Sequence, residues 1–210
     1  MTEQVALAQG VEALGLDLGP AAQARLLAYA RLLLKWNRVY NLTAIRNPSE
    51  VVSHHLLDSL SVLPWIDSVV RLADVGSGGG LPGIPLAIAR PDLQVVSVEA
   101  VGKKASFQQQ ARIELGLDNF QPVHGRIEDQ PGGEFDAVIS RAFADVGDFV
   151  RLSLPMLAPG GRLLAMKGAF PDEELASLPG GLRVERSVEL TVPFLDARRH
   201  LIILKPDGAA

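Results

Sequence analysis

The stretch of the chain most suited to meeting a ligand is Leu72-Ala73-Asp74-Val75-Gly76-Ser77-Gly78-Gly79-Gly80-Leu81-Pro82-Gly83-Ile84-Pro85. An apolar run ends in an acid, and Gly76, Gly78 and Gly80 follow at alternate positions before a helix start. Glycine has no Cβ, so it accepts positive φ and lets a ligand approach the main chain. The free N–H groups of the following helix favour negative charge. Further along, Glu99 closes the apolar run Gln94–Val98, 19 residues beyond Gly80. That is close to the ~20-residue offset at which an acid accepts from ribose hydroxyls in nucleotide-binding βαβ units. Arg141 and Lys167 each follow an apolar run, and a cation at a buried strand end is costly without an anion. His55 and Asp58 are three apart, hence on one helical face. They suit either a carboxylate-oriented histidine or a plain hydrogen-bonded cap.

The spacing excludes as much as it suggests. The dinucleotide pattern G-x-G-x-x-G, begun at Gly76, needs a glycine where Leu81 stands, and no Gly-Lys-Ser/Thr follows to make a Walker loop. The D-x-G-x-G-x-G order, acid first, resembles the first motif of the S-adenosylmethionine (SAM)-dependent methyltransferases. On that reading Asp74, Gly76, Gly78, Gly80 and Leu81 form the SAM turn and Glu99 meets the ribose. In His124-Gly125-Arg126-Ile127-Glu128-Asp129, Ile127 would lie on the adenine face and the Glu128 N–H on its edge, while Arg126 could reach a phosphate. Arg141 and Lys167 would take the methionine carboxylate or an RNA phosphate. The chain has no cysteine, which removes disulfides, Cys-zinc sites and thiolate nucleophiles. Four histidines without metal-like spacing predict no metal. Without a cysteine, carbon-5 methylation of a pyrimidine is disfavoured, and Ser140-Arg141-Ala142-Phe143 replaces the D/N-P-P-Y/F tetrad of many exocyclic-amine methyltransferases. An acceptor with a free lone pair remains: guanine N7, or an oxygen or nitrogen of a small molecule. Guanine N7 carries no proton at neutral pH, so no general base is required there.

These residues need a scaffold, and the pattern supplies one. Helices are expected over Thr2–Leu16 and Pro20–Tyr40, with a third after the Asn47-Pro48-Ser49-Glu50 cap. Trp36 and Tyr40 are either core anchors or stacking platforms beside Lys35 and Arg38. From Arg71 short apolar runs alternate with helical segments: Arg71–Val75, Gln94–Val98, Gln121–His124, Phe135–Ser140 and Arg162–Lys167 against Pro82–Ala89, Lys103–Leu115, Val146–Leu157 and Asp172–Leu178. This predicts an α/β, Rossmann-like fold with a mostly parallel sheet. The tail, Leu182–Val192 and Arg198–Lys205, adds two strands with no helix between, making seven with the last antiparallel. Residues 1–66 form an N-terminal helical extension packed on a methyltransferase domain of residues 67–210. In such sheets ligands meet the carboxyl ends of the strands.

Of the 210 residues, 48% are hydrophobic and 21% charged, enough for a substantial core. The net charge of −4 argues mildly against a nucleic-acid partner but permits a local basic face. No apolar run approaches the ~20 residues that span a bilayer, and no signal peptide is evident, so a cytoplasmic, membrane-free monomer is expected.

The assembled motifs resemble the bacterial small-subunit rRNA guanine-N7 methyltransferase family, RsmG (also called GidB). The resemblance rests on Lys35-Trp36-Asn37, Tyr40-Asn41-Leu42-Thr43, His55-Leu56-Leu57-Asp58-Ser59-Leu60, Asp74-Val75-Gly76-Ser77-Gly78, Gly80-Leu81-Pro82-Gly83-Ile84-Pro85, Ser140-Arg141-Ala142-Phe143 and Lys167-Gly168. It implies SAM as donor and a guanine of the 530 loop of 16S rRNA as acceptor, in the 30S subunit or its precursor. It also implies that Gly76, Leu81, Ile127, Glu128 and Arg141 touch SAM. Arg141 and Lys167 are the catalytic candidates, as substrate-positioning groups; Asn41, His55, Asp58, Lys103, Lys104 and Arg126 are candidates for touching the substrate. Glu99 stands where an Asp is usual, and Lys103-Lys104 where Lys-Arg is common, which loses a planar fork. The rival readings are a small-molecule methyltransferase of the same fold and a SAM-binding regulator without turnover.

Overall fold

The computed structural model describes residues 1–141, 143 and 145–208. Two helices open the chain, α1 (Glu3–Ala13) and α2 (Pro20–Tyr40). The Thr2 hydroxyl caps α1 by accepting from the Val5 amide, and Pro20 begins α2 where its missing N–H costs nothing. Asn41 ends α2 in the left-handed conformation, φ 49°. The expected third helix is broken: α3 (Pro48–Val51) runs through a π-helical turn, Val52–Leu57, into α4 (Asp58–Leu60). π turns inside helices are rare and frequent at functional sites.

The strands follow: β1 (Arg71–Val75), β2 (Gln94–Glu99), β3 (Phe120–His124), β4 (Phe135–Ser140), β5 (Leu157–Lys167), β6 (Leu182–Glu189) and β7 (His200–Pro206). Between them lie α5 (Gly83–Ala89), α6 (Gly102–Leu115), α7 (Val146–Ser153) and α8 (Asp172–Ala176). β5 begins five residues earlier than expected and α7 stops earlier, because Pro155 sits in a 3-10 turn, Leu154–Met156. The seven strands are ordered β3-β2-β1-β4-β5-β7-β6, with β7 antiparallel to both neighbours.

Successive strand residues serve opposite faces, as the pleat requires. Leu72, Ile139, Leu164, Leu201 and Ile203 join one core with α1, α2, α5 and α6; Ala73, Val138, Leu163, Ala165 and Ile202 join the other with α7. The N-terminal helices therefore share a core with the sheet. Phe107 of α6 is the knot: wholly buried, it meets Tyr29 at 6.3 Å and Trp36 at 5.6 Å between ring centroids. Trp36 is accordingly a packing anchor, while Tyr40, on its other side, is 37% exposed. Among the described residues no helix is long and apolar enough to cross a membrane.

Phe107→Ala is expected to cost about 3–5 kcal/mol and to leave one cooperative transition in urea, with Trp fluorescence and far-UV circular dichroism coinciding. Non-coincident transitions would mean the N-terminal helices unfold separately from the sheet.

Candidate active site

β1 ends at Val75, and the main chain turns at once. Gly76, Gly78 and Gly80 have φ of 67°, 58° and 82°. A Cβ on Gly78 would meet nothing within 4 Å, so this part of the turn faces open space. On its inner side the turn is tied down from several elements. The phenol of Tyr29, wholly buried on α2, donates to the Gly79 carbonyl at 2.6 Å. Gln108 of α6 donates to the Gly78 carbonyl and to the Ser77 hydroxyl, both at 2.8 Å, and Ser97 of β2 donates to the same hydroxyl at 2.6 Å.

Two buried carboxylates flank the turn. Glu99 accepts from the Gly78 amide at 2.7 Å and, through its other oxygen, from the Val101 amide at 2.8 Å. It thus sits at the end of β2 with one edge against the turn. Asp74 accepts from the Gly83 amide at 2.7 Å, which ties β1 to the start of α5; its other oxygen is buried without a partner among the described residues. Complete burial raises the Asp74 carboxyl to about 7, opposed by the Gly83 hydrogen bond and by nearby Arg141. A cationic group beside Asp74 would relieve that cost.

Beyond the turn, the Ser140 hydroxyl donates to the Val75 carbonyl at 2.8 Å and so fixes the end of β4 against that of β1. Arg141 comes next. Its Nη1 donates to Asp58 at 3.0 Å and to the His54 carbonyl at 3.1 Å. Asp58, 1% exposed, accepts at its other oxygen from Nε of Arg199 at 3.0 Å. One buried carboxylate therefore holds two guanidinium groups, one arriving from β4 and one from the segment before β7. Lys167 at the end of β5 donates to Glu174 of α8 at 2.9 Å. Ile45, His54, His55, Asp58, Arg141, Met166, Lys167, Gly168 and Arg199 together line a cavity of about 350 Å³ at the carboxyl ends of β4 and β5.

Arg141, Lys167, His55 and Asp58 are thus brought to one cavity. In the described residues Arg141 pairs with Asp58 and Lys167 with Glu174, side chains of the chain itself. His55 and Asp58 do not pair with each other. His55 hydrogen-bonds the Thr43 hydroxyl at 2.7 Å through Nε2 and the His54 carbonyl at 2.9 Å through Nδ1. Burial and Arg141 lower its pKa to about 4, so the ring is neutral at physiological pH. The Thr43 hydroxyl already accepts from the Ile45 amide at 3.1 Å, and Asn37 holds the same loop through the Thr43 amide at 2.9 Å.

The other candidates lie elsewhere. Ile127 is half-buried against the α7 face of the sheet, and Glu128 and Arg126 are exposed beside it in the turn after β3. The Gly125 amide donates to the Glu99 carbonyl at 3.1 Å, so this turn adjoins Glu99 rather than the arginine cavity. Lys103 is exposed and Lys104 half-buried on the first turn of α6; Asn41 is exposed at the end of α2. Leu81 is buried. Ala142, in the Ser140–Phe143 motif, lies outside the described residues. Sequence reading missed Arg199, Glu174 and Tyr29. Arg198-Arg199-His200 at the head of the last strand was the available signal for the first; the other two have none in isolation. Among the described residues no group of three or more His, Asp or Glu side chains is placed to hold a metal ion.

The comparisons with known proteins bear on this geometry. A family model described as rRNA small subunit methyltransferase G (GidB) matches residues 22–202. A protein of Azoarcus sp. (strain BH72) named Ribosomal RNA small subunit methyltransferase G is 62% identical over 199 residues, covering 94% of this chain and 94% of its own. One of the same name from Neisseria meningitidis serogroup B is 50% identical over 204 residues, covering 97% and 99%. Among solved structures, the O-methyltransferase TomG from Streptomyces achromogenes in complex with SAM aligns with a TM-score of 0.60 at 18% identity, over 99% of this chain and 100% of its own. A SAM-dependent methyltransferase from Aquifex aeolicus aligns at 0.58 and 17%, over 82% and 97%. At such identities these structures speak to the fold alone, a Rossmann-like methyltransferase sheet.

Because burial raises the Asp74 carboxyl above its ordinary 3.8, its contribution to stability is greatest below about pH 4 and is lost as pH rises through 7. Between pH 5 and pH 8, wild type should therefore lose about 2–3 kcal/mol relative to Asp74→Asn, in which all other titrations cancel. Urea unfolding of both proteins at the two pH values checks this; parallel losses would place Asp74 in a wetter setting.

Proposed function

The chain belongs to the rRNA small subunit methyltransferase G family, and from that membership we propose that it transfers a methyl group from SAM to N7 of a guanine in the 530 loop of 16S rRNA, acting as a cytoplasmic monomer on the 30S subunit or its precursor. One observation carries the reading. The cavity lined by Arg141, Lys167 and Arg199 opens at the strand ends adjoining the glycine turn, where a donor on one side can meet a base on the other.

The residues at the turn suit SAM. Gly78 is open, Glu99 stands with its carboxylate at the turn, and Asp74 carries a buried oxygen without a partner among the described residues. Glu99 would accept from the ribose hydroxyls, since each of its oxygens uses only one lone pair on a backbone amide. Asp74 would face the cationic methionine end, and the Ile127–Glu128 turn beside Glu99 would hold the adenine. When bound, SAM supplies a methyl group on a positively charged sulfur.

What remains for the chain is alignment. The acceptor N7 would supply its own lone pair for the new C–N bond, and the C–S pair would leave with sulfur. No proton moves, so no residue need be a base, and the neutral His55 beside Arg141 fits a site that takes none. N7 must be left free, so an arginine cannot use the bidentate O6/N7 contact common in guanine recognition. Arg141, held through Nη1 by Asp58 and the His54 carbonyl and lying 3.5 Å from His55 Nδ1, would turn its uncommitted N–H groups to O6 or a phosphate. Arg199, on the other side of Asp58, is placed to take a second phosphate. The overall charge of −4 is compatible with this, because these cations are gathered at one end of the sheet. Residues 1–66 act in this reading as an extension that supplies Asp58 and His55 to the domain formed by residues 67–210.

Purified protein with labelled SAM and undermethylated 30S subunits is expected to place one methyl at a guanine N7 of the 530 loop, mapped by borohydride–aniline cleavage. Absence of cleavage there, with label appearing only in a small molecule, would overturn the RNA acceptor. Glu99→Gln is expected to weaken SAM binding about tenfold or more by calorimetry; unchanged affinity would overturn its ribose role.

A further inference from the structure

Asn37 and Thr43, from the two motifs at the end of α2, are both committed to one neighbour, Ile45. The connection from α2 to α3, residues 41–47, is tied back to α2 by Asn37, which is 3% exposed. Asn37 uses both ends of its amide: Oδ1 accepts from the Thr43 amide at 2.9 Å, and Nδ2 donates to the Ile45 carbonyl at 3.3 Å. The Thr43 hydroxyl accepts from the Ile45 amide at 3.1 Å and hydrogen-bonds Nε2 of the buried His55 at 2.7 Å. A loop can leave its amides and carbonyls to water. Here side chains engage both main-chain polar groups of Ile45.

The residue held in this way faces the site. Ile45 lines the cavity together with Arg141, Lys167 and Arg199, and it joins the core behind it only in part. Among the described lining residues the aliphatic side chains are Ile45 and Met166, and Met166 is 4% exposed. Half-buried Ile45 therefore supplies accessible apolar surface in a cavity that is otherwise polar and charged. A nucleobase divides its surface in the same way: hydrogen-bonding groups on its edges, an apolar π surface on its faces. Cations engage an edge or a phosphate but leave the base free to tilt about that contact. A surface against one face fixes the plane of the ring, and with it the direction of the N7 lone pair. Isoleucine suits this, because branching at Cβ leaves few χ1 states. With its main chain fixed as well, that surface is in place before the base enters, and less remains to be ordered on binding.

We propose that Ile45 is a substrate-contacting residue of this site: its side chain packs against one face of the acceptor base, and Asn37 and Thr43 are positioning residues that hold it there. This rests on the reading that a base of RNA is the acceptor. It gives residues 41–47 of the N-terminal extension a direct part in presenting that base to the methyl donor.

With undermethylated 30S subunits as substrate, Ile45→Ala is expected to lower kcat/KM about tenfold or more, while calorimetric SAM affinity and the melting midpoint are maintained. Ile45→Val, which keeps the branch at Cβ, should restore most of the rate. Ile45→Phe keeps an apolar side chain but extends it into the cavity, so KM for the subunits should rise with SAM affinity unchanged. Thr43→Val preserves shape and removes the hydroxyl; it should lower the rate alone and add little in an Ile45→Ala background. Wild-type kinetics in both Ile45→Ala and Ile45→Phe would overturn the contact, as would SAM affinity or the melting midpoint falling in step with the rate. Additive losses from Thr43→Val and Ile45→Ala would overturn the positioning role of Thr43. Failure of wild type itself to methylate the subunits would instead overturn the RNA reading, and the contact with it.

Discussion

The site is organised around one buried carboxylate. Asp58 lies at the junction of a π turn with α4, and its two oxygens hold Arg141 from the end of β4 and Arg199 from the approach to β7. Three segments distant in sequence are thereby joined at one point. Removing one partner of such a buried pair leaves the other charge desolvated, at a cost of about 3–5 kcal/mol. The arginines are also spared conformational freedom. Each is committed to Asp58 and a nearby carbonyl, Arg141 also lying against His55, so its guanidinium is held at the cavity in a fixed orientation.

The glycine turn is built on the same plan, with contacts made by buried groups behind the ligand-facing surface. Tyr29, Gln108 and Ser97 hold the turn from α2, α6 and β2, and Glu99 and Asp74 bind amides at its two ends. The main chain there is fixed before any ligand arrives, and binding need not meet the cost of ordering it. The N-terminal helices take part directly, since Tyr29, Asn37 and Asp58 all come from them. Their helical packing against α5 and α6 is thus also what aligns the two halves of the site.

The strand end at β4 sets how the halves meet. Ser140 ties β4 to β1 immediately before Gly76, so Arg141 follows the turn's own starting point by position in the sheet. Electrostatically the two sides are already linked, for Arg141 opposes the rise of the Asp74 carboxyl and deepens the fall of His55.

The sequence by itself determined the order of strands and helices, the glycine turn and the acid at Glu99, because apolar period and glycine spacing are local properties that packing then uses. It also marked Arg141, Lys167, His55 and Asp58 as residues of interest. It did not determine their partners. A buried cation requires an anion, and the sequence did not show that Asp58 and Glu174, 83 and 7 residues away from Arg141 and Lys167, pair with them. The helical spacing of His55 and Asp58 suggested a pair; the π turn and the Thr43 hydroxyl gave His55 a different partner. Tyr29 carries no local signal, and the Arg198-Arg199-His200 run flags Arg199 without naming its partner, since their roles exist only where β7 is inserted beside β5 and α2 is laid across the turn. Pairings over such separations are decided by sheet order and helix packing, which only the tertiary structure supplies.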